Sequence, residues 1–128
     1  MGNKVRRMLA CVVGVCAIAM VMPISAQAAQ YNVSGYLNTG GYLVQYSTFR
    51  WHTSGEMSMT LSDNVETYSQ FGLRGTDDVQ QTPTIQFKAS EINVRKVWGL
   101  GSTGSYALNG RMGPRSGADN KWEGKMVL

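Results

Sequence analysis

The chain has 128 residues, of which 12 are Lys or Arg, 8 are Asp or Glu and 2 are Cys. This length allows one small domain and excludes most multidomain enzymes. The composition is uneven, because residues 1–29 hold both cysteines, four of the eight methionines and three of the twelve basic residues, and contain no acid. The first 29 residues therefore differ in kind from the rest of the chain.

The N-terminal segment has the layout of a secretory signal peptide. A basic start at Lys4, Arg6 and Arg7 is followed by an apolar run over residues 8–22, a helix breaker at Pro23 and the small-residue sequence Ala26-Gln27-Ala28. The apolar run of about 15 residues is shorter than the roughly 20 that a membrane-spanning helix needs. The sequence therefore predicts cleavage after Ala28, with residues 1–28 as the signal peptide and residues 29–128 as a single exported domain.

Removal of the signal changes the charge and the cysteine count of the domain. Nine basic residues remain against eight acidic ones, and no cysteine remains. The small net charge argues against nucleic-acid binding, which needs a large cationic field. The absence of cysteine from residues 29–128 excludes disulfides, thiolate metal sites and a cysteine nucleophile there. Small exported domains without disulfides are more typical of bacteria, so we expect a bacterial protein that is secreted or associated with the cell envelope.

Apolar and polar residues alternate along most of the chain after residue 29, a period of two that is typical of β-strands with one buried face. The first two predicted strands, residues 31–37 and 42–51, should form a hairpin around Asn38-Thr39-Gly40-Gly41, because its glycines can adopt positive φ. The clearest alternation spans residues 56–62, whose predicted buried face consists of Met57, Met59 and Leu61.

The later segments continue this pattern. The predicted inward residues are Phe71 and Leu73, then Ile85, Phe87 and Ala89, then Tyr106, Leu108, Gly110 and Met112, and finally Trp122, Gly124, Met126 and Leu128. At Val97-Trp98 the alternation loses its phase, which indicates a β-bulge or a strand end. Seven or eight short strands and no helix after the signal predict an all-β antiparallel sandwich, with a small closed barrel as the alternative. The polar loop over residues 113–121 suits a binding surface.

Catalytic and metal-binding chemistry is poorly represented. His52 is the only histidine, and no nucleophile motif accompanies it, so we expect a surface or structural role. Asp63, Asp77-Asp78 and Asp119-Asn120 have the character of turn residues, and their spacing matches no calcium loop. We therefore expect a protein that is not an enzyme and that has no cofactor and no metal site.

Aromatic residues are concentrated in the first quarter of the predicted domain. Tyr42, Tyr46 and Trp51 lie on a predicted strand with rings on both faces, and exposed rings beside amides and hydroxyls suit stacking on a sugar or docking on a protein. A second candidate surface combines cationic and aromatic side chains, namely Arg95, Lys96, Arg111, Arg115, Trp98 and Trp122. The predicted ligand-binding residues are Tyr42, Tyr46, Trp51, Arg111 and Arg115.

In composition and layout the chain is similar to small secreted bacterial β-sandwich proteins, including bacteriocins of the lactococcin 972 type, although it shares no diagnostic motif with them. The residues themselves favour a secreted, non-catalytic interaction protein that binds an envelope glycan or a protein partner through aromatic strand faces and the 113–121 loop. The alternative is an antimicrobial, bacteriocin-like or membrane-active β protein, because period-two patterning also occurs in membrane β-structures.

Overall fold

The computed structural model describes residues 28–115 and 117–128. Within these ranges the chain forms β-strands and no helix. The strands are β1 (Gln30–Tyr36), β2 (Val44–Gln45), β3 (Arg50–His52), β4 (Glu56–Asp63), β5 (Ser69–Arg74), β6 (Ile85–Phe87), β7 (Arg95–Leu100), β8 (Gly104–Met112) and β9 (Lys121–Val127). The predicted signal peptide lies outside the described residues, apart from Ala28 at its end.

The strands form two antiparallel sheets. The first sheet has the order β1-β9-β4-β7, and the second has the order β2-β8-β5-β6 with β3 also paired to β8. Because the two sheets do not close on each other, the alternative of a closed barrel is wrong. The arrangement is compatible with the predicted sandwich, and the described residues contain nine strands instead of seven or eight.

One hydrophobic core lies between the sheets, and both contribute to it. The predicted inward faces are confirmed for β4, β5 and β9, where Met57, Met59, Leu61, Phe71, Leu73, Trp122 and Met126 are fully or almost fully buried. Trp122 lies at the centre, with its ring 4.8 Å from the ring of Phe71 and 5.6 Å from that of Tyr46. Aromatic contacts of this kind add to the free energy gained by burying the rings.

The predicted hairpin at residues 31–51 is wrong. β1 pairs only with β9 in the first sheet, whereas β2 pairs with β8 in the second, so the loop between them crosses from one sheet to the other. The predicted second strand is also divided into the two short strands β2 and β3. Glycines with positive φ, such as Gly41 at +81°, suit such a crossing as well as they suit a hairpin turn.

The irregularity predicted at Val97-Trp98 is confirmed as a β-bulge. Met57 on β4 pairs with Gly99, and the next residue, Ser58, pairs with Val97, so Trp98 is the extra residue. The bulge turns the Trp98 ring towards the core, where its Nε1–H donates a hydrogen bond of 2.9 Å to the carbonyl of Phe71 in the other sheet. A bulge here therefore links the two sheets.

Candidate functional site

Three loops that are distant in sequence meet at one end of the two sheets. The Leu37 N–H donates to the carbonyl of Asn120, and the Asn120 side-chain amide donates to the carbonyl of Leu37, both at 2.9 Å. The Gly113 N–H donates to the carbonyl of Tyr68 at 2.9 Å. We call this region the loop end, and it consists of the β1–β2, β4–β5 and β8–β9 loops, residues 37–43, 64–68 and 113–120.

The β1–β2 loop is held in one conformation by its own residues and by Pro114. The Asn38 Oδ1 accepts a hydrogen bond of 2.6 Å from the Gly40 N–H. Gly41 adopts a φ of +81° and lies so close to Pro114 that a Cβ atom would be 2.9 Å from its Cγ. This packing leaves the next side chain, Tyr42, projecting into solvent with 73% of its surface exposed.

Tyr46 lies beneath this loop. Its hydroxyl accepts a hydrogen bond of 3.1 Å from the Asn38 N–H, and its ring meets Trp122 edge to face at an angle of 88°. Burial raises the pKa of the Tyr46 phenol, an effect that the hydrogen bond from Asn38 partly offsets. Of the two tyrosines predicted for ligand binding, Tyr42 is thus free to touch a ligand, and Tyr46 positions the loop that carries it.

Two tyrosines that the sequence did not single out share this end with Tyr42. Tyr36, at the end of β1, is 67% exposed, and Tyr68, which directly precedes β5, is 41% exposed. The Tyr68 ring covers Gly113, where a Cβ atom would be 3.0 Å from it. The signal that indicates Tyr36 is its position just before the Asn38–Gly41 loop, whereas no local pattern marks Tyr68.

An open depression of about 400 Å³ lies at the loop end beside Tyr36 and Tyr46. The described residues that line it carry no charge, and they are Tyr36, Leu37, Asn38, Thr39, Val44, Tyr46 and Asn120. Among the described residues, the Asn38 Nδ2 and the Asn120 Oδ1 have no hydrogen-bond partner, although the other polar atom of each side chain is bonded. The depression therefore offers one donor and one acceptor between aromatic rings.

The two predicted arginines lie beside this end. Arg115 is exposed in the β8–β9 loop, next to Pro114. Arg111 is half-buried on β8, where its Nε–H donates at 2.7 Å to the Oε1 of Gln70. The amide of Gln70 in turn donates at 2.8 Å to Gln86 on β6. This chain of hydrogen bonds across three strands fixes the orientation of the Arg111 guanidinium.

Trp51 lies apart from these residues. It pairs with Ser105 near the start of β8 and is 59% exposed, whereas Val44 pairs with Gly110 near the end of β8. Five residues of β8 separate the two positions, a distance of roughly 17 Å at the usual rise of a strand. Trp51 and Tyr42 are thus both accessible, but they belong to different regions of the surface.

The predicted cationic and aromatic patch around Trp98 and Trp122 is wrong. Trp122 has no exposed surface and lies in the core, and Trp98 is half-buried. Arg95 and Lys96 each pair with an acidic side chain, at 3.0 and 2.7 Å respectively. Only Arg111 and Arg115 of the predicted set lie near the loop end.

The histidine lies in the core. His52 has no exposed surface, its ring packs against that of Tyr106 at 6.0 Å, and neither ring nitrogen has a hydrogen-bond partner among the described residues. Of the two roles expected for it, the structural one is therefore observed. A general base needs a hydroxyl or water within hydrogen-bond reach, and the described surroundings of His52 supply no such protein group.

The aspartates of the turns act on the backbone. The Asp77 Oδ1 accepts the N–H of Val79, and the Asp119 Oδ1 accepts the N–H of Lys121, both at 3.1 Å. Within residues 28–115 and 117–128, no three His, Asp or Glu side chains are grouped so that they could hold a metal ion. These carboxylates have the turn-forming role that their sequence context indicates.

Comparisons with protein-family models, with curated proteins and with solved structures gave no match. In the described part of the chain, no helix is long and apolar enough to cross a membrane. Function must therefore be inferred from the residues of the loop end itself.

Proposed function

We propose that this chain is an exported, non-catalytic binding protein of bacterial origin, and that its loop end binds a glycan of the cell envelope. The observation that carries the proposal is a depression lined by the exposed ring of Tyr36 and by unpaired amide groups of Asn38 and Asn120, with a second exposed ring, Tyr42, against Gly40 of the same loop. Export follows from the signal peptide predicted for residues 1–28.

The chemistry of the depression fits a sugar. The faces of tyrosine rings stack on the apolar faces of sugar rings, and they do so at low cost in side-chain entropy. A sugar hydroxyl can both donate and accept, and so it can pair with the Asn120 Oδ1 and the Asn38 Nδ2. The volume of about 400 Å³ lies within the usual range for small-ligand sites, and the uncharged lining suits a neutral ligand.

Arg111 and Arg115 add positive charge to the surroundings of the proposed glycan site. Arg115 is exposed in the loop end, and Arg111, near the end of β8 that leads into this loop, is held by Gln70. Envelope polymers are commonly anionic, and a cationic rim raises the rate at which such a polymer is captured. We therefore expect binding to accelerate at low salt, with the rings supplying most of the affinity.

The proposal of a binding protein, and not an enzyme, is supported by how the described titratable groups are used. The acids form turns and ion pairs, as Asp77 and Glu91 do. His52 is fully buried against the Tyr106 ring, and it pairs with Gly104 at the end of β8 that is remote from the loop end.

The experiment that tests the proposal is co-sedimentation of the purified protein with isolated bacterial cell walls. Tyr42→Ala and Tyr36→Ala should each weaken binding about tenfold, since each removes an exposed anchor of the site. Trp51→Ala is the matched control, because it also removes an exposed ring but lies at the other end of β8. A loss of binding in Trp51→Ala with none in Tyr42→Ala would overturn the loop end as the site.

Two further measurements separate the proposed ligand from other partners. Soluble oligosaccharides released from the walls should compete for binding, whereas protease treatment of the walls should leave binding intact. Loss of binding after protease treatment would instead identify a protein partner. Leakage of dye from anionic liposomes without wall binding would contradict the proposal and favour the bacteriocin-like alternative.

A further inference from the structure

The two sheets have open edges, and most of these edges carry features that prevent pairing with another chain. β6 has only three residues, and the edge formed by β2 and β3 is interrupted between residues 45 and 50. β7 carries Arg95 and Lys96, and it is distorted by the bulge at Trp98 and by Gly99 with a φ of +109°. Short length, charge and bulges are the usual protection of edge strands in soluble proteins.

β1 has none of these features. It pairs with β9 over seven consecutive residues with no shift in register. Its sequence, Gln-Tyr-Asn-Val-Ser-Gly-Tyr, contains no charged residue and no proline. Its other edge forms no strand pairing with the described part of the chain. β1 is therefore a long, regular and neutral edge, in contrast to the other three.

The backbone groups that β1 leaves unpaired can be assigned from its register. Ala29 and Leu128 exchange two hydrogen bonds of 3.0 Å, so this pair is of the hydrogen-bonded type. In an antiparallel ladder such pairs alternate with non-bonded ones, and so the odd-numbered residues of β1 face β9. The N–H and C=O groups of the even-numbered residues point to the open edge, and these are Gln30, Asn32, Ser34 and Tyr36.

We propose that β1 pairs antiparallel with β1 of a second copy of this chain, so that the two first sheets become one continuous sheet. With the two-fold axis at Val33, Gln30 of one copy pairs with Tyr36 of the other, and Asn32 pairs with Ser34. This register uses every free N–H and C=O group of the edge. It fits a two-fold dimer, in which one surface must be complementary to itself.

The side chains of β1 favour a second copy as the occupant. The strand itself is neutral, so that its pairing with itself brings no like charges of β1 together, and the neighbouring Arg50 guanidinium is held 4.9 Å from the Tyr31 ring. In this register Tyr31 of one copy lies opposite Gly35 of the other, on the face that the Tyr46 ring covers. A depression of about 320 Å³ borders residues 32–34 on the outer face, and one of about 270 Å³ separates the same residues from the segment 46–50, which flanks β1 without pairing with it.

The test is sedimentation equilibrium of the purified protein, compared with Ser34→Lys and Ser62→Lys. Ser34 and Ser62 are both exposed and line the same outer depression, but Ser62 lies on the inner strand β4. We expect a reversible dimer whose dissociation constant rises at least about tenfold in Ser34→Lys, because lysine on an edge opposes pairing and the two-fold axis doubles its effect. Ser62→Lys should dimerise as the unchanged protein does.

Amide hydrogen exchange locates the interface. The N–H groups of Asn32 and Ser34 should exchange rapidly in dilute protein and slowly at high concentration, whereas that of Val33, which faces β9, should be protected in both. A protein that stays monomeric up to about 1 mM, or a dimer without this alternation, would refute the proposal. The measurement needs no glycan, and Tyr42→Ala should leave dimerisation unchanged. A failure of the proposed glycan binding would therefore leave this test of dimerisation unaffected.

Discussion

Replacing Tyr46 by Phe removes one oxygen from the contact that holds the β1–β2 loop against the core. The hydroxyl accepts the Asn38 N–H at 3.1 Å, and the ring contact with Trp122 is kept in the variant. Because water can reach the Asn38 N–H once the hydroxyl is gone, the loss lies in the lower part of the usual range for one hydrogen bond. We expect a decrease of about 0.5–1 kcal/mol in the free energy of unfolding.

The same free energy limits the effect on ligand binding. If the hydrogen bond only keeps the loop in its binding conformation, its loss weakens binding by at most about fivefold, which corresponds to 1 kcal/mol. Tyr46→Ala also removes the edge-to-face contact with Trp122 and the half-buried ring. Tyr46→Ala should therefore lower the free energy of unfolding by about 2–3 kcal/mol. This value lies between the loss expected for a ring on the surface and that for a ring buried in a core.

Guanidinium unfolding followed by tryptophan fluorescence measures both losses. The pH dependence is a further check, because burial raises the pKa of the Tyr46 phenol above its ordinary value of 10.0. The neutral phenol is then favoured in the folded state, so its contribution to stability is complete below about pH 10 and is lost as the pH rises through the folded pKa. The difference in stability between the unchanged protein and Tyr46→Phe should therefore narrow above about pH 10. A constant difference, or a loss above about 2 kcal/mol in Tyr46→Phe at pH 7, would refute this account.

Three further substitutions test the core and the ion pairs. Gly124→Ala should lower the free energy of unfolding by about 1–3 kcal/mol, because its Cβ would lie 2.6 Å from a backbone carbonyl of β4. Gly104→Ala is the control and should change the unfolding midpoint little, because its Cβ would meet no atom within 4 Å. His52→Phe should raise stability by about 1 kcal/mol, since it removes two buried ring nitrogens without partners, and a lower melting temperature would contradict this. The hydrogen bond from Lys96 lowers the pKa of Glu91, so its stabilising contribution is present above the ordinary value of 4.5 and is lost as the pH falls through the folded pKa. Glu91→Gln should accordingly lose less stability between about pH 5 and pH 3, and an equal loss in acid melting curves would count against the pairing.

Much of the fold could be predicted because the buried faces follow directly from the alternation of residues. Met57, Met59 and Leu61 face the core since every second side chain of a strand points the same way. The pairing of strands carries no such local signal. Asn38-Thr39-Gly40-Gly41 has the chemistry of a hairpin turn, but the same residues serve a loop that crosses between sheets. Local turn chemistry fixes the conformation of a loop, not the sheet in which the next strand pairs.

The candidate site was less predictable because its parts meet only in the folded chain. Tyr42 was identified from the density of rings in its segment. Strand parity would place Tyr46 on the same face, but β2 spans only Val44–Gln45, and the Tyr46 ring packs against Trp122 beneath the loop. Tyr68 joins the same surface through its backbone bond to Gly113, 45 residues further along the chain. Aromatic composition indicates that rings are available, whereas their exposure depends on which loops pack together.

Dimerisation through β1 has a consequence for glycan binding. Antiparallel pairing reverses the direction of β1, and so it directs the two loop ends away from each other, separated by at least the length of a seven-residue strand, about 23 Å. A dimer of this kind can hold two glycan segments of a wall at once, but it gains no affinity for a short oligosaccharide, which reaches only one site. At concentrations where the unchanged protein is dimeric and Ser34→Lys is monomeric, the variant should therefore bind a soluble oligosaccharide as the unchanged protein does and bind intact walls about a hundredfold more weakly, since avidity commonly contributes at least this factor. Equal loss on both ligands would mean that Ser34 belongs to the site itself, and equal retention would mean that the two loop ends of a dimer do not act together.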